Sequence, residues 1–181
     1  MISIINKSKY QYYFFSNELN KNIIENILKV KNISYVYTGE ENKHTDVYTI
    51  RDFCKKNHIN FIISNNVNLA IKTRANGIHI PANVRHNSIK YKRFKEIIGT
   101  THDQLDYFFK EKQDCQKIFL SPLFHNPKYS NNQIMGTIKF NLISLNWRLK
   151  KLALGGINNK NMKKMNCVNG IFGFGFRRLF E

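Results

Sequence analysis

Eight short β-prone runs recur along this chain at a near-constant interval, and nothing else in the sequence constrains the fold so tightly. They are "YYFFS" (12–16), "ISYVYT" (33–38), "INFIIS" (59–64), "GIHI" (77–80), "IIGTT" (97–101), "KIFLSPL" (117–123), "KLALGGI" (151–157) and "GIFGFGF" (170–176). The runs are apolar and mostly do not alternate, which suits parallel strands buried on both faces. Segments of helical spacing lie between them. In "ELNKNIIENILKV", Leu19, Ile23, Ile24, Ile27 and Leu28 share a face. "DVYTIRDFCKKNH" groups Val47, Ile50, Phe53 and Cys54, and "HDQLDYFFKEK" groups Leu105, Phe108 and Phe109. Such i, i+3, i+4 patterns belong to helices packed on one side.

Strand–helix units at intervals of roughly 20 residues, eight strands in all, predict an α/β fold of the compact TIM (β/α)8 barrel type. The size presses on that reading. Such barrels typically need about 250 residues and rarely fall below about 200, whereas this chain has 181. The helices must therefore be short and the last one truncated, since only "RRLFE" follows the eighth run. A doubly wound open sheet is the structural alternative. No linker interrupts the pattern, so residues 1–181 are expected to form a single domain. The one long irregular segment is 124–139, after the sixth run, where a barrel carries a substrate-binding loop.

Composition narrows the class. With 42% hydrophobic and 13% aromatic residues, the chain can bury a core. No run of 18 apolar residues is present, so no membrane-spanning helix is expected. The start, "MISIINKSKYQYYFF", lacks the order and cleavage site of a signal peptide. The chain reads as cytoplasmic and complete at its N-terminus. Cys54, Cys115 and Cys167 are odd in number and far apart, which predicts free thiols rather than a disulfide framework or zinc site. The net charge is +17, from 29 basic and 12 acidic residues. A polyanion partner such as nucleic acid is one explanation. The other is drift toward Lys, Asn and Ile, combined with a small anionic ligand. The basic residues are spread along the whole chain, on segments such as "KYKRFKE" and "NKNMKKMN", and no RNA-binding signature or arginine-rich arm appears. Nucleic acid is therefore the weaker reading.

In a barrel, the residues that follow each strand form the site. Here they are Thr38-Gly39-Glu40-Glu41, Ser64-Asn65-Asn66, Pro81-Ala82-Asn83, Thr100-Thr101-His102-Asp103, Ser121-Pro122, Gly155-Gly156-Ile157-Asn158 and Gly173-Phe174-Gly175. Most are small or polar, and few are acidic. Glycines after the last two strands would let a phosphate approach backbone N–H groups, although glycine at a strand end also serves plain turns. The hydroxyls of Thr100, Thr101 and Ser121, with Asn126 and Lys128 in the long loop, offer further donors to an anion. Ser121-Pro122 also reads as a strand terminator, and Lys128 as a solvated lysine. His79, inside "GIHI", is expected to be a hydrogen-bonded interior histidine rather than a base. His102 serves equally as a helix cap or a ligand contact. His125 is expected in the mobile loop. No pair of histidines has metal-ligand spacing.

Four stretches in order, "FIISNNVNLAIKTRANGIHIP", "IIGTTHD", "IFLSPLF" with a later Gly, and "LALGGINNKNM", resemble the thiamine phosphate synthase/TenI family. The similarity covers about residues 58–176. It implies a compact barrel that joins a pyrimidine diphosphate to a thiazole phosphate with release of pyrophosphate. Leaving-group stabilisation and positioning drive such a reaction without a protein nucleophile. Small phosphorylated thiamine precursors are then the partners, with no membrane partner and with a homodimer as an open option. The resemblance also implies Mg²⁺, yet its ligands are altered. Ser64-Asn65 stands where the family has Asn-Asp, and Pro81-Ala82-Asn83-Val84 where a second carboxylate is usual. No Asp or Glu occurs from residue 53 to residue 95. Asn65 and Asp103 are the candidate Mg²⁺ contacts, with Glu40 and Glu41 as further acids near the mouth. Thr100 or Thr101, His102, Ser121-Pro122, Gly155-Gly156 and, loosely, Lys128 match the family's positions. Gly173-Phe174-Gly175 replaces its serine-containing phosphate turn. The catalytic histidine of the TenI tautomerases falls at Pro122. Two further readings stand beside synthase activity. One is a divergent member that binds a thiazole or pyrimidine phosphate without turnover. The other is a polyanion- or nucleic-acid-binding protein.

Overall fold

The computed structural model of the chain describes residues 9–39, 47–127, 129–158 and 160–177. Eight parallel strands close into a barrel in sequence order: β1 (Gln11–Ser16), β2 (Ile33–Tyr37), β3 (Asn60–Ser64), β4 (Gly77–Ile80), β5 (Glu96–Thr101), β6 (Lys117–Leu120), β7 (Lys150–Leu154) and β8 (Ile171–Phe176). The ring is sealed by β1 on β8, with Tyr12 opposite Phe174 and Phe14 opposite Phe176. This closure excludes the open sheet. The helices are short, as the chain length requires: α1 (Lys21–Ile27), α2 (Val47–Lys56), α3 (Val67–Lys72), α4 (Gln104–Lys112) and α5 (Gly136–Ile143). Two connections use 3-10 turns instead, Ile89–Arg93 before β5 and Met162–Cys167 before β8. Any helix after β8 lies outside the described residues. Polar caps start three of the helices. The side chains of Asn20, Asn66 and Asp103 accept from the backbone N–H groups of Ile23, Leu69 and Asp106.

Strand alternation divides the core in two. Tyr13, Phe15, Val36, Ile62, Ile98, Phe119 and Leu152 pack with one another inside the ring. Tyr12, Phe14, Tyr35, Ile63 and their equivalents face the helices. Phe119 is the hub of the interior, with ring centroids 5.2 Å from Tyr13 and 5.4 Å from Phe15. Gly173 and Gly175 belong to this packing and not to a turn. Gly175 leaves room for Phe15, Leu154 and Phe119, and a Cβ on Gly173 would come within 2.1 Å of the Gln11 carbonyl oxygen. Gly173 therefore does not form a phosphate turn after the last strand. It sits within β8, where β1 approaches too closely for any side chain.

The barrel is closed off below by a polar cluster. Lys117 Nζ lies 2.5 Å from Glu96 Oε1 and 2.9 Å from Tyr13 Oη, while Tyr13 donates to the same carboxylate oxygen at 2.7 Å. Burial first, then the Glu96 charge, raise the Tyr13 pKa, so the phenol keeps its proton and donates it.

One helix turns a different face inward from the one its apolar residues predict. On α4, Leu105 and Phe108 are exposed, while Asp106, Tyr107 and Lys110 are buried. The Lys110 stem lies against Gly99 of β5. Its ammonium donates to Pro81 O at 2.7 Å, Val84 O at 2.6 Å and Gln113 Oε1 at 3.1 Å. Burial lowers its pKa to about 8. Gln113 Nε2 adds bonds to Val84 O and His86 O. A buried lysine and glutamine thus fix the segment that follows β4. Of the cysteines, Cys54 and Cys115 are buried and Cys167 is exposed, all as free thiols.

Candidate active site at the barrel mouth

A cavity of about 1440 Å³ opens where the strands end. Ser64, Asn65, Thr100, His102, Ser121, Asn126, Gly155 and Gly156 all line it. Thr101, Asp103 and Gly173 do not. Thr101 is fully buried and donates to the Asp103 carbonyl at 2.6 Å, which shapes the entry to α4. Lys128, Glu40 and Glu41 lie outside the described residues. The irregular segment after β6 is shorter than 124–139, because a 3-10 turn at Asn131–Gln133 and then α5 take up its second half. Its first half carries Asn126, Pro127 and Tyr129 to the cavity wall.

His79 forms the floor. Its Nδ1 is 2.8 Å from Ser64 Oγ and its Nε2 2.7 Å from Thr100 Oγ1. The Phe15 ring stands edge-on to it at 5.3 Å. Burial foremost, then the charges of Lys110 and Arg177, lower its pKa to about 3. The imidazole is neutral at pH 7, so one ring nitrogen donates and the other accepts. It takes the proton of only one of the two hydroxyls. The other keeps its O–H for a ligand in the mouth. The same shift predicts acid sensitivity. Below pH 6.5 an unfolded chain protonates this histidine, while the folded one resists down to about pH 3. Stability should fall by about 1 kcal/mol per pH unit through this window on account of His79. The slope of urea-unfolding free energy between pH 6 and pH 4 should be shallower in His79→Gln by that amount. An equal slope in the variant would contradict the assignment.

His102 stands on the neighbouring wall. Its Nδ1 is 2.6 Å from the Ser121 carbonyl oxygen, which can only accept, so Nδ1 carries a proton. Its backbone N–H donates to Asp106 Oδ2 at 3.2 Å, and its ring lies 6.0 Å from that of Tyr129. This histidine links β5 to the β6 loop and contributes to the wall; Asp103, one residue on, is the helix cap.

Across the mouth, Gly155 (φ +96°) and Gly156 (φ +68°) turn the chain away from β7. Both hold a left-handed conformation in which a side chain is strained. A Cβ at Gly156 would sit 2.3 Å from the His125 carbonyl oxygen, and one at Gly155 would sit 2.9 Å from Pro122 Cα. The glycines thus seat the β6 loop, fixed further by Leu123 N–H to Leu154 O at 2.9 Å and Phe124 N–H to Gly155 O at 3.0 Å. Gly156→Ala is expected to cost about 2 kcal/mol or more, measured by urea unfolding, and to speed proteolysis within 121–127. A variant as stable as the parent would contradict this fit.

Of the cations, sequence reasoning singled out Lys128, which lies outside the described residues, and not those that line the cavity. Arg85, Lys160 and Arg177 line the cavity. Arg85 follows β4 by five positions, one residue beyond the stretch in which a carboxylate was sought. Among the described residues, Asp106 is the acidic side chain of the cavity lining, and its oxygens are engaged. Oδ1 accepts from Arg85 Nη2 at 3.2 Å and Oδ2 from the His102 N–H. Asp103 Oδ1 caps α4 at 2.8 Å from the Asp106 N–H, and the residue does not line the cavity. Among the described residues no three His, Cys, Asp or Glu side chains are placed to hold a metal ion. Mg²⁺ binds one or two carboxylates together with substrate phosphates. The expected pair, Asn65 at the mouth and Asp103 at its cap, does not fit that ion.

Comparison with known proteins agrees with this architecture. The chain is 25% identical over 174 residues to the thiamine-phosphate synthase of Prochlorococcus marinus subsp. pastoris, covering 90% of this chain and 48% of that protein. It is 26% identical over 139 residues to the thiamine-phosphate synthase of Staphylococcus haemolyticus, covering 74% of this chain and 65% of that one. The chain thus spans about half the length of the Prochlorococcus relative it matches. Its fold superimposes on thiamine phosphate pyrophosphorylase from Pyrococcus furiosus with a TM-score of 0.71 at 15% identity, over 93% of this chain and 85% of that one. Residues 19–172 match the model of the TMP-TENI family, described as thiamine monophosphate synthase. Matched from α1 into β8, this chain belongs to the TMP-TENI family.

Proposed function

We propose that the chain is a transferase that joins a pyrimidine diphosphate to a thiazole phosphate and releases pyrophosphate in thiamine biosynthesis. The observation that carries this reading is the match to the thiamine monophosphate synthase family through 19–172, on a barrel whose mouth gathers hydroxyls and cations. In that reaction the bond from the pyrimidine methylene carbon to the diphosphate oxygen breaks, and its electron pair leaves with pyrophosphate. A bond from the thiazole nitrogen to the same carbon replaces it. The protein's task is to hold two anionic groups, stabilise the leaving one and keep the reacting rings together. Ser64, Thr100, Ser121, Asn126 and the Gly155-Gly156 turn supply neutral contacts suited to phosphate, and Arg85, Lys160 and Arg177 add cations. The ligands are small phosphorylated precursors and the compartment is the cytoplasm. Among the described residues no helix is long and apolar enough to cross a membrane.

The missing carboxylates favour a second reading, a barrel that binds a thiazole or pyrimidine phosphate without turnover. A precursor assay with and without Mg²⁺ separates them. A synthase forms thiamine phosphate, and Ser121→Ala lowers kcat/KM by about tenfold, as the loss of one hydrogen bond to a charged group does. Thermal stabilisation by thiazole phosphate without product identifies the binding protein. Neither product nor stabilisation rejects both.

A further inference from the structure

We propose that the mouth holds its diphosphate ligand through direct contact with the Arg85 guanidinium, without a divalent cation. This rests on the reading above that the ligand carries a diphosphate.

The charge pattern of the site points to it. A carboxylate-lined pocket needs a metal to turn its potential positive before it can receive a diphosphate. Among the described residues, the lining of this pocket is positive already. Asp106 is the acid among its described lining residues, while Arg85, Lys160 and Arg177 are its cations. Arg85 stands in the segment after β4, one residue beyond the stretch in which the family resemblance leads one to expect a carboxylate.

The side chain is built to receive an anion. Its segment is fixed from beneath, since Lys110 and Gln113 bind the carbonyl oxygens of Pro81, Val84 and His86. Asp106 Oδ1 holds Nη2 at 3.2 Å, and the guanidinium carbon lies 5.3 Å from the centre of the Phe109 ring. The group is thus oriented, yet the side chain remains 51% exposed. One carboxylate contact leaves most of its five N–H donors for a ligand, in a fork that matches phosphate oxygens. Arg177 follows β8, which lies opposite β4 in a ring of eight. The cations therefore face one another across the mouth. One side can hold the diphosphate at Arg85 and the other the single phosphate, near Ser121 and Gly156.

The probe is inorganic pyrophosphate, titrated calorimetrically into the whole chain in EDTA and again in excess Mg²⁺. Binding in EDTA is expected to be as tight as in Mg²⁺ or tighter. Arg85→Gln should raise Kd in EDTA at least tenfold, Arg85→Lys less, and Lys55→Gln on the outer end of α2 not at all. The proposal is overturned if pyrophosphate binds only with Mg²⁺. It is equally overturned if Arg85→Gln binds as the parent does, or if Lys55→Gln weakens binding as much, which would mark a diffuse polyanion effect. The parent comparison needs no variant, so poor folding of Arg85→Gln cannot shelter the idea. Mg²⁺-dependent binding together with precursor turnover would remove this proposal and leave the synthase reading. Arg85-dependent binding in EDTA without product under any condition would do the reverse.

Discussion

Lys110→Ala is expected to lower the unfolding free energy by about 3–5 kcal/mol, among the largest effects of any single change in this barrel. The substitution does two kinds of damage. It removes a buried stem that covers Gly99, and a void there is not filled by a backbone glycine. It also strips donors from Pro81 O, Val84 O and Gln113 Oε1. Lys110→Met keeps most of the stem and loses only the donors, so it should cost less, about 1–3 kcal/mol. Urea unfolding of the two variants separates packing from hydrogen bonding. If Lys110→Met proves as stable as the parent, the ammonium does not hold the β4 loop, and the orientation argued for Arg85 loses its support.

A comparable loss is expected at the base of the barrel. Lys117→Met leaves the Glu96 side chain without its cation beside Tyr13 in a nearly dry cluster, and breaking such a pair typically costs about 3–5 kcal/mol. Replacing both partners should cost much less, because the desolvation penalty of the pair disappears along with its attraction. Glu96→Gln with Lys117→Met therefore should recover at least about half of the single-variant loss. The measurement is a double-mutant cycle in urea. Additive losses would mean that Lys117 and Glu96 do not depend on each other, contrary to the 2.5 Å contact between them.

Much of the barrel was legible because parallel strands buried on both faces leave dense apolar runs, and these recur with the period of the β/α unit. The predicted run 77–80 coincides with β4, and 97–101 begins one residue inside β5. The faces of α1 and α2 were legible in large part for the same reason: Ile27, Val47, Ile50 and Cys54 are buried, and Ile23 and Phe53 pack beside them, whereas Leu28, assigned to the α1 face, is exposed at the helix's C-terminal cap. The α4 face was not. Apolar periodicity pointed to Leu105 and Phe108, but that helix buries Asp106 and Lys110, whose polar ends are satisfied by Arg85, the His102 N–H and loop carbonyls. A rule that counts only apolar side chains cannot see a face made of satisfied polar ones. The glycines of β8 were misplaced because glycine serves turns and crowded strands alike. At the mouth, the hydroxyls could be read from the strand ends, whereas Arg85 and Arg177 carry no periodic mark in a chain so rich in cations. Their role emerges only when the ring brings the ends of β4 and β8 to face each other.

The central claim is that a phosphorylated ligand sits in this mouth, and a crystal structure of the chain with thiazole phosphate tests it most directly. The expected result is a phosphate within hydrogen-bond reach of Ser121 and the Gly155-Gly156 turn, with the thiazole ring over His79 and Phe15. A phosphate bound only among lysines on the outer surface, with the mouth filled by solvent, would contradict the account.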